Sequence, residues 1–263
     1  MKKLLFLFSI LILILSASVA FASFISLKTA FSVKSTDNAL KVDLSSTNKG
    51  DESAFNVQAE IKIGSKYLIA EKKPELKVGE KYSFFEVILL PETKPGSYPA
   101  VLTLHYTDAS AYPFSAVSCQ TYSVKGANPS KLTLQAKNTA ISKKGKLKLL
   151  IKNPENHAIK GVVSLATPKE ILTGNNPRDC SIKARSQTGT FIEISNLSAL
   201  AGSTYNLFWI FEYDDNGKHF SIIRPVTVKI NANDGFFGIG NIFLLIVLIG
   251  LITLFLYNQF YRK

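Results

Sequence analysis

One β-rich pattern that occurs twice is the feature that most constrains the fold of this chain. Between residues 23 and 230, short runs of alternating apolar and polar residues are interrupted by Gly, Pro, Asn and Asp. The interruptions come about every ten residues, which is typical of strands in a β-sandwich. Helical periodicity is not sustained anywhere in this region. The interior of the chain is therefore predicted to be all-β.

The landmarks of the pattern recur at a nearly constant spacing. Asn48 corresponds to Asn153, 105 positions later, and Gly96 to Gly202, 106 positions later. A steady offset over several landmarks is not expected by chance, and a unit of about 100 residues has the size of an immunoglobulin-like sandwich. We predict two such sandwiches, residues 23–125 and 131–231, joined by a linker at 126–130.

Two glycines and an acidic turn support the predicted strand connections. Gly96 and Gly202 precede equivalent strands, and both are expected to adopt the positive φ of a tight turn. Residues 214–217 read Asp-Asp-Asn-Gly between two alternating runs, which favours a hairpin.

Both ends of the chain read as membrane-targeting segments. Lys2 and Lys3 precede an apolar run and the small residues Ala20 and Ala22, so residues 1–22 are predicted to be a signal peptide. Residues 236–257 carry no charge, and their length suits a transmembrane helix. The basic tail, 258–263, is expected in the cytoplasm.

The predicted fold class is all-β, with two tandem immunoglobulin-like β-sandwiches plus one C-terminal transmembrane α-helix. The expected location is the cytoplasmic membrane, crossed once. Membrane lipid would contact the C-terminal helix, and the bulk of the chain would be extracytoplasmic, in the periplasm or on the cell surface.

Charge gives a weaker indication of partners. The formal net charge is +12, and removal of Lys2, Lys3, Arg262 and Lys263 leaves +8 for the remainder. A basic surface can favour lipid headgroups or acidic polysaccharide, although an ordinary solvated surface is the simpler explanation. No nucleic acid partner is predicted.

The two cysteines, Cys119 and Cys180, fall in different repeats. In an oxidising compartment they could form a disulfide that links the sandwiches, but sequence does not establish that they are neighbours. A metal role is not expected, because two lone cysteines lack spaced partners.

No catalytic pattern is present. The histidines, His105, His157 and His219, lack the spacing of a zinc pair. Asp214 and Asp215 could offer oxygens to Ca²⁺, but a hairpin turn accounts for them more simply. We therefore predict no enzyme, no catalytic residue, no metal and no cofactor.

The strand after Gly202 supplies the candidate interaction residues. Alternate side chains share a face of a strand, and one face is wholly apolar, which predicts a core face. The opposite face carries Phe208, Ile210 and Glu212. The equivalent positions of the first repeat are more polar. An apolar face of this kind can mark a partner contact, or it can be covered by packing between the sandwiches.

The turns and glycines of the first repeat also carry a family resemblance. The residues concerned are Asn48, Gly50, Ala54, Leu76, Gly79, Pro95, Gly96 and Tyr98. In this order they resemble the CARDB-type and related bacterial and archaeal immunoglobulin-like surface domains, over residues 25–125 and less closely over 130–230. The second repeat departs from the pattern at Pro154 and at residues 185–188. The resemblance implies a spacer, adhesion or assembly role and no catalytic residues.

The expected function is that of a membrane-anchored extracytoplasmic scaffold or interaction protein of the cell envelope, non-catalytic and bound to an envelope protein partner. One alternative is a glycan-binding module for acidic polysaccharide. Another is an accessory subunit of a membrane export or transport complex, because Gly238, Gly240 and Gly250 could let membrane helices pack closely.

Overall fold

The chain forms antiparallel β-sheets almost throughout its interior. The computed structural model describes residues 24–36, 38–90, 94–126 and 129–231, together with 246, 249, 250 and 253. Within residues 24–231 every regular element is a strand. The all-β, sandwich-type prediction is therefore confirmed.

The first sandwich, as we call residues 24–126, packs two sheets around one core. Its strands are β1 (Leu27–Ser35), β2 (Ala39–Asn48), β3 (Ala54–Ile63), β4 (Lys66–Ile69), β5 (Lys73–Leu76), β6 (Lys81–Leu89), β7 (Gly96–Thr107) and β8 (Pro113–Val124). One sheet has the order β1-β2-β6, and the other contains β4 and β5 beside β3, followed by β7 and β8. Alternate residues of β2, β3 and β7 are buried between the two sheets, as amphipathic strands require.

The second sandwich, residues 129–231, repeats this arrangement. Its strands are β9 (Thr133–Ala136), β10 (Thr139–Ile141), β11 (Lys144–Asn153), β12 (Ile159–Ala166), β13 (Ile171–Gly174), β14 (Arg178–Ile182), β15 (Ser186–Asn196), β16 (Thr204–Asp215) and β17 (Lys218–Ile230). One sheet has the order β13-β15-β11-β9, and the other β14-β12-β16-β17, with β10 beside β17. Trp209 and Phe211 of β16 are fully buried in this second core.

A buried asparagine occupies the same place in both sandwiches. Asn48 donates to the carbonyls of Glu52 (2.7 Å) and Leu76 (3.1 Å), and its oxygen accepts from Gly50 N (3.0 Å). Asn153, at the end of β11, bonds its own turn and the end of β14 in the same manner. These bonds satisfy backbone groups that the turn would otherwise leave unpaired. The asparagine is therefore part of the repeated unit and not a coincidence of sequence.

The two glycines thought to form equivalent turns differ in their reason for being glycine. Gly202 has φ of +84°, which confirms the expected turn conformation. Gly96 does not adopt a positive φ; it begins β7, so the expectation of a turn there was wrong. A Cβ at Gly96 would lie 2.3 Å from the carbonyl oxygen of His219. Gly96 is thus required by a close approach between the sandwiches.

Several predictions fall on other parts of the chain. The signal peptide (1–22) and the cytoplasmic tail (258–263) lie outside the described residues, as do positions 127 and 128 of the predicted linker. Of the predicted membrane segment, 236–257, only residues 246, 249, 250 and 253 are described, and they are helical. No helix long and apolar enough to span a bilayer is found in the described part of the chain.

The repeated asparagine leads to a stability prediction. Asn153→Ala should lower the free energy of unfolding by about 1–3 kcal/mol, because buried carbonyls lose their donor, and Asn48→Ala should behave similarly. Denaturant titration of the detergent-solubilised protein measures this. The single tryptophan, Trp209, is buried in the second core and reports its unfolding. The exposed Gln187→Ala serves as control, with a change of roughly 0.5 kcal/mol or less. Equal effects of all three variants would contradict the prediction.

Candidate functional site: the contact between the two sandwiches

Strands β7 and β8 of the first sandwich meet β16 and β17 of the second. This is where the predicted interaction residues lie. Ile210 is 4% exposed, while Phe208 and Glu212 are partly buried, and β8 is the strand packed against β16. Packing between the sandwiches, one of the two alternatives left by the sequence, therefore covers this face. Ile210 is not open to an external partner.

A cluster of charged groups joins the sandwiches at one end of this contact. The Lys94 ammonium of the first sandwich lies 2.8 Å from one carboxylate oxygen of Asp214. His219 Nδ1 lies 2.9 Å from the other oxygen of Asp214, and His219 Nε2 lies 3.4 Å from Glu212. The hairpin between β16 and β17 brings Glu212, Asp214 and His219 together. His219 therefore has two acidic neighbours, and Lys94 contacts one of them, Asp214.

His219 is also the point at which the two sheets touch. It pairs with Gly96 across parallel strands β17 and β7, and its N–H donates to the Pro95 carbonyl at 3.0 Å. The Tyr98 ring stacks on the imidazole with a centroid separation of 4.3 Å and an angle of 12°. The Tyr98 ring stacks on the imidazole, and Gly96 has no Cβ to hold the backbones of β7 and β17 apart, so the two strands are in direct contact.

The acidic neighbours decide the electrostatics of this cluster. Burial lowers the pKa of His219, but hydrogen bonds and charges from Glu212 and Asp214 outweigh it and raise the pKa above its usual value. For Asp214, burial raises the pKa, but bonds to Lys94 and His219 prevail and lower it. Each group therefore favours its charged form in the folded protein.

A buried carboxylate joins the sandwiches at the other end of the contact. Glu170, which precedes β13, is 3% exposed and accepts bonds from Ser115 N (2.6 Å) and Ser115 Oγ (2.5 Å) of β8. Ser115 Oγ also accepts from Lys169 N at 2.7 Å, and the Tyr112 hydroxyl donates to the Ser198 carbonyl. Sequence reasoning missed Glu170, because a Lys-Glu pair beside an apolar run has the pattern of a solvated loop.

The cysteines are free thiols and lie in different environments. Cys119 is on β8 within the contact, where burial and then the nearby Glu212 charge raise the pKa of its thiol to about 12. Cys180 packs against the second core, and burial raises its pKa as well. No disulfide joins the two cysteines, and burial favours the protonated form of each thiol.

The remaining histidines and the acidic hairpin are used for contacts within the protein. His157 Nε2 lies 3.0 Å from Asp215, which also accepts from Asn216. His105 Nε2 lies 3.6 Å from Glu60; burial and then the charge of Lys169 lower the pKa of this imidazole. Among the residues that the structure describes, no group of three or more His, Cys, Asp or Glu side chains is arranged to hold a metal ion.

Comparison with known proteins gives distant likenesses of architecture. No family model and no curated protein matches the chain. A protein of unknown function from Porphyromonas gingivalis W83 is 11% identical, with a TM-score of 0.33, over 78% of this chain and 99% of its own. Red sea bream transglutaminase is 12% identical, with a TM-score of 0.26, over 78% of this chain and 32% of its own.

Escherichia coli alpha-2-macroglobulin activated by porcine elastase is 12% identical, with a TM-score of 0.30, over 81% of this chain and 23% of its own. This chain thus spans less than a third of the length of the transglutaminase and of the macroglobulin. Likenesses at this level assign no activity to it.

The close approach at Gly96 leads to a matched pair of variants. Gly96→Ala should destabilise the protein by about 1–3 kcal/mol, because the added methyl group overpacks the contact with β17. Gly189→Ala is the control: it lies on an exposed part of β15 and a Cβ there meets no atom within 4 Å. It should be neutral or stabilising by up to about 1 kcal/mol. Denaturant unfolding compares the two, and equal effects would contradict the role given to Gly96.

His219 leads to a pH prediction with a defined sign. Its pKa in the folded protein is raised from 6.5, so its contribution to stability is complete below pH about 6.5 and is lost as pH rises through the folded value. The stability difference between wild type and His219→Gln should therefore be larger at pH 6 than at pH 9. Unfolding midpoints across this range measure it.

His157→Gln is the control, because the His157 side chain is 41% exposed against 18% for His219, and it pairs with one carboxylate where His219 pairs with two. A wild-type advantage over His219→Gln that grows with rising pH would overturn this assignment.

Proposed function

We propose that this chain is a membrane-anchored, extracytoplasmic and non-catalytic scaffold or interaction protein of a cell envelope, built from two immunoglobulin-like sandwiches. The observation that carries the proposal is the bonded contact between them. The Glu170–Ser115 hydrogen bonds at one end and the Lys94–Asp214 ion pair at the other connect the sandwiches. Contacts at two separated places restrict rotation about the connection, which suits a protein that holds a partner at a fixed distance and angle.

The use of the polar groups supports a non-catalytic role. The groups best suited to acid–base chemistry, His219, Asp214 and Glu170, each bond another part of this chain. Cys119, on β8 within the contact, carries a pKa raised to about 12. These polar groups thus serve structural contacts, of which Lys94–Asp214 and Ser115–Glu170 cross between the sandwiches.

The membrane anchor is proposed from the sequence of the C-terminal segment. Strand β17 ends at Ile230, and the uncharged segment begins at residue 236. With so short a connection, the second sandwich would lie beside the bilayer and the first would project from it.

Extraction tests the placement directly. The full chain should remain with the membrane pellet after an alkaline carbonate wash, because residues 236–257 are a segment long enough to span the bilayer. A variant lacking 236–257 should appear in the soluble extracytoplasmic fraction, and protease added from that side should digest the wild-type ectodomain. Release of the wild-type chain by carbonate would refute the anchor. Tight retention on acidic polysaccharide at physiological salt would favour the glycan-binding alternative.

A further inference from the structure

Strand β6 of the first sandwich has an apolar outer face and one edge without a partner strand. Among the described strands, β6 pairs only with β2. Phe85, Val87 and Leu89 alternate along it and are 63%, 50% and 74% exposed. Natural proteins usually protect such an edge with charge, a bulge or a covering element, so an apolar one indicates use.

The backbone of the same three residues points to that edge. Glu80 and Leu90 direct their backbone groups towards the β2 side, where they bond Asn48 and Asn38. Successive residues of a strand point to opposite sides, so Phe85, Val87 and Leu89 direct theirs away from β2. Lys66 confirms the direction, because its ammonium donates to the Leu89 carbonyl at 3.4 Å. Phe85, Val87 and Leu89 therefore carry both the backbone groups that face the open edge and the exposed apolar side chains.

The second sandwich shows what this edge looks like when it is covered. Lys41 of β2 faces Val87, and its equivalent Lys146 of β11 faces Glu193 of β15. Strand β15 thus corresponds to β6, and β13 pairs with it along residues 193–196. In the first sandwich the corresponding strand, β4, pairs with β3 instead. The position that β13 fills in the second sandwich is left open in the first.

The exposed side chains of β6 also differ from their equivalents on β15. The residue equivalent to Phe85 is Phe191, whose ring lies under Lys146 (4.7 Å) and Arg178 (5.2 Å). Where the first sandwich has Val87, the second has Glu193, bonded to Lys146 at 3.2 Å. The covered copy is charged and screened, whereas the uncovered copy is apolar, as a surface for a separate chain would be.

Charge indicates what the missing strand would carry. Lys41 has no carboxylate opposite it on β6, although its counterpart does, and Lys66 lies at the end of the open edge. In the sheet formed by β1, β2 and β6, the exposed charged residues are mostly basic: Lys28, Lys34, Lys41 and Lys81 against Asp43. A strand with acidic side chains complements this edge.

We propose that the open edge of β6 is a strand-addition site for an extended segment of a partner protein in which apolar and acidic residues alternate. The backbone of this segment pairs with that of residues 85–89, as in other β-augmentation complexes. Its apolar side chains pack on Phe85, Val87 and Leu89, and its carboxylates, on the opposite face of the added strand, meet Lys66 at the end of the edge. The inference deepens the proposed scaffold role and rests on it.

The test uses the full chain in detergent micelles and a labelled nonapeptide of alternating valine and glutamate, followed by fluorescence anisotropy. We expect saturable binding that weakens at least tenfold in Val87→Glu, which gives β6 the residue found in the covered copy. Leu172→Glu on β13, where the leucine is 48% exposed, makes the same charge change on the second sandwich and should leave binding within about twofold, as expected for a surface change away from the site.

Two altered peptides separate backbone pairing from simple charge attraction. A peptide with alternate backbone nitrogens methylated keeps its charge but loses the donors that pair with β6, and it should fail to bind. A peptide with lysine in place of glutamate should bind at least tenfold more weakly. Equal binding of the methylated and unmethylated peptides would overturn the inference, as would equal losses in Val87→Glu and Leu172→Glu.

A second copy of this chain is the other occupant that the experiment can reveal. Sedimentation of the protein alone would then show a concentration-dependent dimer that Val87→Glu abolishes, and the assignment to a partner protein would be wrong. A carbonate-resistant chain that binds no peptide would refute this inference while leaving the membrane-tethered scaffold standing. Release by carbonate would refute the scaffold proposal itself.

Discussion

The arrangement of the whole molecule depends on the approach of two backbones at Gly96 and His219. Because Gly96 has no side chain to separate them, the start of β7 can pair with the start of β17, and Tyr98 can stack on the imidazole. The absence of a side chain at Gly96 allows β7 and β17 to approach, and the Lys94–Asp214 ion pair beside His219 then strengthens this contact. The buried Glu170 side chain accepts hydrogen bonds from Ser115 of the other sandwich, and burial of its oxygens without these partners would be costly, so its location requires both sandwiches to be in place.

The sequence predicted the sandwich architecture because strand alternation and the spacing of turn residues are local signals. Asn48 and Asn153 marked the repeat correctly, and the structure adds their reason, which is to bond backbone carbonyls of the turn and of a neighbouring strand. Gly96 was recognised as equivalent to Gly202 but given the wrong cause. Its true neighbour is 123 positions away at His219, and no local pattern reports a contact between separate sheets.

The candidate site was harder to predict for the same reason. The face carrying Ile210 stood out in the sequence, yet only the packing of β8 on β16 decides that Ile210 is internal. Cys119 and Cys180 could be weighed for a bridge, but their separation depends on which way each strand faces. Glu170 gave no signal at all, because a loop carboxylate becomes important only when Ser115 is brought to it.

The two sandwiches also differ in a way that equal sequence patterns do not reveal. A short strand leaves one sheet and can pair on either side of the sandwich: β4 stays with β3, whereas β13 crosses to β15. That choice covers one edge in the second sandwich and exposes it in the first. The exposed edge lies in the sandwich that the proposed anchor would hold away from the bilayer, and the bonded contact fixes its direction. Rigidity at the joint and openness at β6 are thus complementary requirements of a scaffold that presents one strand edge to a partner.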